Sequence, residues 1–128
     1  MSFAYRAIGW IEDENEFSLI NVEIRLKKRF PASQLSRDTN NISLSVKDWG
    51  AHLHFSDESH VGQEAEEFPR LFPNCSRSSE IARCRKRIEI NCPEESSAMK
   101  HFNDYVFVCQ AVEFKGVILV DLASGELL

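Results

Sequence analysis

The chain is poor in the residues that build reactive or stapled sites. Its 128 residues include five glycines, four prolines and four cysteines. Neither G-x-S-x-G nor G-x-x-x-x-G-K occurs, so the nucleophile turn of the α/β-hydrolases and the phosphate-cradling P-loop are both excluded. Cys75, Cys84, Cys92 and Cys109 form no C-x-x-C pair. Structural zinc and thioredoxin-type redox chemistry therefore lack their spacing. A core of this size needs no disulfide, and all four thiols are expected reduced, with Cys109 a small core residue. Apolar runs such as GVILV fall far short of the roughly 20 residues that a membrane helix needs. MSFAYRAIGWI lacks a cationic leader, and Arg6 interrupts its apolar stretch, so a cytoplasmic location is expected. Repeats, linkers and low-complexity segments are absent.

Positive charge is also in deficit. Fifteen Lys and Arg face twenty Asp and Glu, a formal charge of −5. Phosphate binding is dominated by Lys and Arg, which argues against nucleic acid as the main partner and for a basic protein, or for solubility alone. Apolar content of 43% and charged content of 27% are those of an ordinary globular chain. The length fits one domain spanning 1–128.

Periodicity supplies the elements. FAYRAIGWI, 3–11, alternates with apolar groups on both sides, which predicts a strand covered on both faces. EDENE breaks the pattern. FSLINVEIRL, 17–26, places Ile20, Val22, Ile24 and Leu26 at period two and predicts a second strand, closing a hairpin with the first. Residues 27–41, with Pro31, read as a connector. ISLSV, the turn KDWG and AHLHF predict a second hairpin with Ile42, Leu44, Leu53 and Phe55 inward. Ser59 is placed to cap a helix over 60–68, ended by Pro69 and Pro73. A short helix follows near 78–84, then a strand in RKRIEIN. Pro93 at a first helical position, Glu94 and Glu95 in the first turn, and a stripe of Met99, Phe102, Val106, Cys109 and Val112 predict a long final helix. Gly116 ends it and VILVDL closes as a strand. The expected fold is α+β: a mostly antiparallel sheet built from two N-terminal hairpins plus later strands, with a long C-terminal helix packed on one face.

Two constellations carry candidate chemistry. AHLHFSDESH concentrates His52, His54, Asp57 and His60. Residues two apart on a strand share a face, so His52 and His54 can offer one ion two imidazoles, with Asp57 and His60 completing a hydrolytic metal site. The competing reading is the wet side of a strand whose Leu53 and Phe55 face the core. The second constellation is charge. Asp13, Glu14 and Glu16 cluster in one break, and Asp57, Glu58, Glu64, Glu66 and Glu67 along the stretch 57–67. Basic runs occupy 27–29 and 83–87. The acids suit docking of a basic protein; solvated faces are the plain alternative. The basic run Arg83, Arg85, Lys86 and Arg87 could touch RNA, but it lacks interleaved aromatics for base stacking. Trp10, Phe30 and above all Trp49, in a turn beside Asp48, are candidate anchors if exposed.

HFNDYVFVCQAVEFKGVILVDLASGELL, 101–128, joins an amphipathic helix, a Gly, a short β-rich run and an Asp-x-x-Ser-Gly-Glu tail. In this it resembles immunity proteins of bacterial toxin systems, including contact-dependent inhibition. The resemblance carries no site residue. It implies a small acidic cytoplasmic protein, without cofactor, that binds its cognate toxin and occludes the active site, with a basic nuclease domain as the expected partner. The alternative is a small metal-dependent hydrolase using His52, His54, Asp57 and His60.

Overall fold

A computed structural model describes residues 3–94, 100–122 and 124–128. The protein is α+β. Its elements are β1 (Phe3–Ile11), α1 (Leu19–Arg29), β2 (Gln34–Arg37), β3 (Asn41–Val46), β4 (Trp49–Ser56), α2 (Ser59–Leu71), α3 (Ser78–Ile81), β5 (Lys86–Glu94), α4 (Phe102–Ala111) and β6 (Val117–Asp121). The strands form one six-stranded sheet in the order β2-β3-β4-β5-β1-β6, and every neighbouring pair is antiparallel. Among the described residues no helix is long and apolar enough to cross a membrane.

Two cores lie on opposite faces of this sheet. On one, Val22 and Leu26 of α1, Tyr105, Val108 and Cys109 of α4, and Val112 just after it pack on Ala7, Ile42, Leu44, Leu53, Ile88, Ile90 and Leu119. On the other, Val61, Ala65 and Phe68 of α2, with Ile81 and Cys84 at α3, pack on Ile8, Trp10, Ile118 and Val120. Strand β1 serves both, because alternate side chains point to opposite faces. The second layer covers β6, β1 and the start of β5, where Arg87 meets Glu64 of α2. Over β2 to β5 that face is a polar row: Ser36, Ser43, His52, Asn91 and Arg6 stand opposite one another strand by strand.

Four expectations are corrected. Ser59 does not cap α2 but is its first residue, and Glu58 holds the cap position without a side-chain hydrogen bond. Residues 17–26 do not form a strand, and the first hairpin does not exist. Ser18 caps α1 by accepting from the Asn21 N–H at 3.2 Å, Lys27, Lys28 and Arg29 fill the last turn, and β1 pairs instead with β5 and β6. Pro69 does not end α2, which runs to Leu71; so close to the end, proline removes one hydrogen bond and leaves the rest. Among the described residues there is no long C-terminal helix. Pro93 lies in β5 opposite Ala4, Glu95 and Met99 fall outside the described residues, and α4 has ten residues against thirteen in α2. Its buried stripe is Tyr105, Val108, Cys109 and Val112, while Phe102 is exposed and Val106 half-buried.

Candidate partner-binding surfaces

The imidazoles of β4 face away from Leu53, on the open polar side of the sheet. His52 Nδ1 lies 3.3 Å from the Ser43 hydroxyl. His54 Nδ1 lies 2.9 Å from Asn41 Oδ1. His60 belongs to the first turn of α2, where its Nδ1 is 3.5 Å from Glu58 Oε2. Asp57 is exposed in the link between. The set His52, His54, Asp57 and His60 is thus not assembled. Among the described residues no group of three or more His, Cys, Asp or Glu is placed to hold a metal ion.

The two acidic groups have different fates. On α2, Glu64 meets Arg87 at 2.6 Å, Glu66 meets Arg85 at 3.0 Å, and Glu67 meets Arg70 at 3.7 Å. The acidic helix and the basic run of 83–87 are therefore largely each other's partners. Arg87, with its side chain 8% exposed, also stands 3.7 Å from Glu89. The other basic run is partly used as well: Lys27 donates to the Ser33 carbonyl at 3.0 Å, and the Arg29 guanidinium lies 3.5 Å over the Phe107 ring.

Asp13, Glu14 and Glu16 make no close ion pair among the described residues, and their backbone is held. The Glu12 N–H donates to the Gly116 carbonyl and the Glu16 N–H to the Lys115 carbonyl, both at 2.8 Å. Asn15 bridges within the loop, donating to the Glu12 carbonyl at 2.7 Å and accepting from the Phe17 N–H at 3.1 Å. Gly116 has φ +83°, and a Cβ there would stand 2.3 Å from the Glu14 carbonyl oxygen. Only glycine permits that approach. The loop walls a cleft of about 400 Å³ whose lining carries Glu12, Asp13, Glu14 and Glu80 against Arg83 and Lys115. Beside it Arg77 clamps Glu80 at 2.6 Å and Glu12 at 3.4 Å. That hydrogen bond holds the Glu80 carboxyl below its ordinary range and raises Arg77.

Cys84 also lines this cleft, but burial, then the Glu12 and Asp13 carboxylates, push its thiol up to about 11. Cys109 is pushed to about 11, chiefly by burial. A thiol is nucleophilic as thiolate, so neither is activated at neutral pH.

Trp49 is withdrawn as an anchor. It begins β4 opposite Val46 and is 7% exposed. Its ring stacks on His101 at 5.7 Å and tilts against Phe30 at 6.0 Å. Trp10 is buried under α2, and Phe30 is half-buried. What sequence reading missed is a smaller cavity, of about 180 Å³, between α2 and the β1–β6 side of the sheet, with Trp10, Phe68, Phe72 and Arg87 in its wall. Its only sequence signal was an apolar second face on β1, which predicts a covering layer but not a gap in it. No protein-family model, no curated protein and no solved structure matches this chain.

Proposed function

We propose that this chain is a non-enzymatic binding protein that neutralises a toxin by covering its active site. The expected partner is a basic nuclease domain, as for a bacterial immunity protein. The supporting observation is the acidic loop: Asp13, Glu14 and Glu16 are exposed on a backbone pinned at both ends to Lys115 and Gly116. A loop already in its bound shape loses little freedom on docking. Exposed carboxylates on it raise the encounter rate with a basic surface, and a nuclease's phosphate-binding surface is such a surface. The acids of α2 contribute less, being paired within the molecule. Occlusion needs about 800 Å² per partner and no catalytic group.

The test mixes the purified chain with the product of the reading frame immediately upstream of its gene. A stoichiometric complex by size-exclusion and calorimetry is expected. Asp13→Asn, Glu14→Gln and Glu16→Gln together should slow association about tenfold at low salt, while Glu66→Gln changes it little. Absence of a complex, or equal effects of the two changes, overturns the reading.

A further inference from the structure

The two edges of the sheet are treated differently. Beside β6 the chain returns: Val120 bridges to Leu127, and the Leu128 N–H donates to the Leu119 carbonyl at 3.0 Å. At the opposite edge β2 has a strand on one side only among the described residues. An antiparallel edge strand turns alternate N–H and C=O groups outward, where another strand can pair with them. Gln34, Ser36 and Arg37 are exposed there. The strand, QLSR, contains no proline, the residue that would remove such a donor.

Helix α1 lies over this open edge and carries an apolar ridge in solvent. Leu35 of β2 packs into the core with Val22 and Leu26, and Glu23 of α1 meets Arg37 of β2 at 3.1 Å. Ile20 and Ile24, one turn apart, are 55% and 57% exposed. A β-branched residue is a poorer helix former than Lys or Glu, so the helix itself gives no reason for isoleucine at these two positions. The ridge is charged oppositely at its two ends. Glu16 is exposed just before the cap Ser18, and Lys28 is exposed in the last turn. Neither makes an ion pair among the described residues. Glu16 stands apart from the cleft that Asp13 and Glu14 line.

We propose that a second copy of this chain docks on this edge, β2 against β2 and α1 against α1, about a twofold axis that joins the two sheets. The order of charge selects the occupant. A twofold axis runs the two helices antiparallel, so the acidic end of each meets the basic end of the other. Setting Ile20 against Ile24 of the second copy brings Glu16 near its Lys28, and symmetry repeats both contacts. A uniformly basic partner would meet Lys27 and Lys28 at one end, and a uniformly acidic one Glu16 at the other; like charges face to face are disfavoured. The strand also suits itself, since antiparallel edge pairing is made by the main chain. An eleven-residue ridge, about 16 Å long, and a four-residue strand form a small interface beside the roughly 800 Å² per partner of a stable complex. The dimer is therefore weak and reversible. It does not rest on the toxin-binding reading, and it leaves Asp13 and Glu14 uncovered for that role.

The experiment is sedimentation equilibrium of the whole chain at low salt, from about 5 to 500 μM, a range that suits a small interface. A monomer–dimer equilibrium is expected. Glu16→Lys and Lys28→Glu should each weaken it about tenfold, because twofold symmetry reverses two exposed ion pairs at once. Mixed in equal amounts, the two variants should dimerise with each other as well as the parent does, since every pair is again of opposite sign. Ile20→Ser with Ile24→Ser should weaken the dimer at least tenfold, with an unchanged helical circular-dichroism signal. Amide hydrogen exchange at Gln34–Arg37 should slow as concentration rises. A monomer at every concentration, charge variants that dimerise as tightly as the parent, no recovery on mixing, or exchange at 34–37 that is independent of concentration overturns the proposal. No toxin is present in these measurements, so their failure and the absence of a toxin complex are separate results.

Discussion

Arg87 and Glu64 carry opposite charges and very different exposures: the arginine side chain is 8% exposed and the glutamate 53%. Removing the glutamate leaves a cation that water cannot easily reach, whereas removing an exposed partner leaves one that water solvates at once. Glu64→Gln should therefore cost about 1–2 kcal/mol, the lower part of the range for a lost partner of a buried charge, since Glu89 remains 3.7 Å away. Glu66→Gln, which breaks the exposed pair with Arg85, should cost under about 0.5 kcal/mol. Urea denaturation of both variants decides it, and equal losses would mean that burial of Arg87 does not matter. The sequence shows the two runs of opposite sign but not which members touch. Arg83, Arg85 and Arg87 are equivalent letters in SRSSEIARCRKR, and their separation into exposed and buried follows only from β5 lying beneath α2.

Ser18 decides the identity of the element that follows it. Its hydroxyl accepts from the Asn21 N–H, so Ser18→Ala should lower stability by about 1 kcal/mol, read from the denaturation midpoint. A loss indistinguishable from that of Ser45→Ala, on the exposed face of β3, would deny the cap. Local spacing alone pointed the other way. Ile20, Val22, Ile24 and Leu26 fit a strand at period two, yet Val22 and Leu26 are also i and i+4 of a helix, and those two are the buried residues of α1. The surplus, Ile20 and Ile24, is left in solvent. What excludes the strand is distant in sequence: both edges of β1 are occupied, by Lys86–Glu94 and by Val117–Asp121. Pro93 misled for a similar reason. The last β4 partner of β5 is His52, opposite Asn91, so Pro93 sits where β5 has one neighbour and a missing donor is tolerated. By contrast β3, β4 and β6 were legible, because each alternation or apolar run was bounded by turn residues. Of the candidate site, the acidic break at 12–16 was visible, but its pinning by Gly116 was not, since that contact joins segments a hundred residues apart.

The two-core architecture places thiols where their ionisation opposes folding. Cys84 belongs to the core under α2 and α3; Cys92 and Cys109 belong to the core under α1 and α4. Burial raises all three, Cys84 and Cys109 to about 11 and Cys92 further in the same direction. In the unfolded chain a thiol ionises near 8.5. Above that pH the unfolded state gives up protons that the native state keeps, so the unfolded state binds fewer protons and stability falls as pH rises. Below it both states are protonated and the effect vanishes. The slope is at most about 1.4 kcal/mol per pH unit for each thiol until its native pKa is passed. Raising the pH from 7 to 10 should thus lower the melting temperature by about 5 °C or more, at a few degrees per kcal/mol for a domain of this size. Lysines and tyrosines also titrate in this window, which makes the control essential. Cys84→Ala with Cys109→Ala will lower stability at pH 7 through lost packing, yet it should flatten the alkaline limb. An unchanged limb in the double variant would show that these thiols ionise in the native state as readily as in the unfolded one, which neither core as packed here allows.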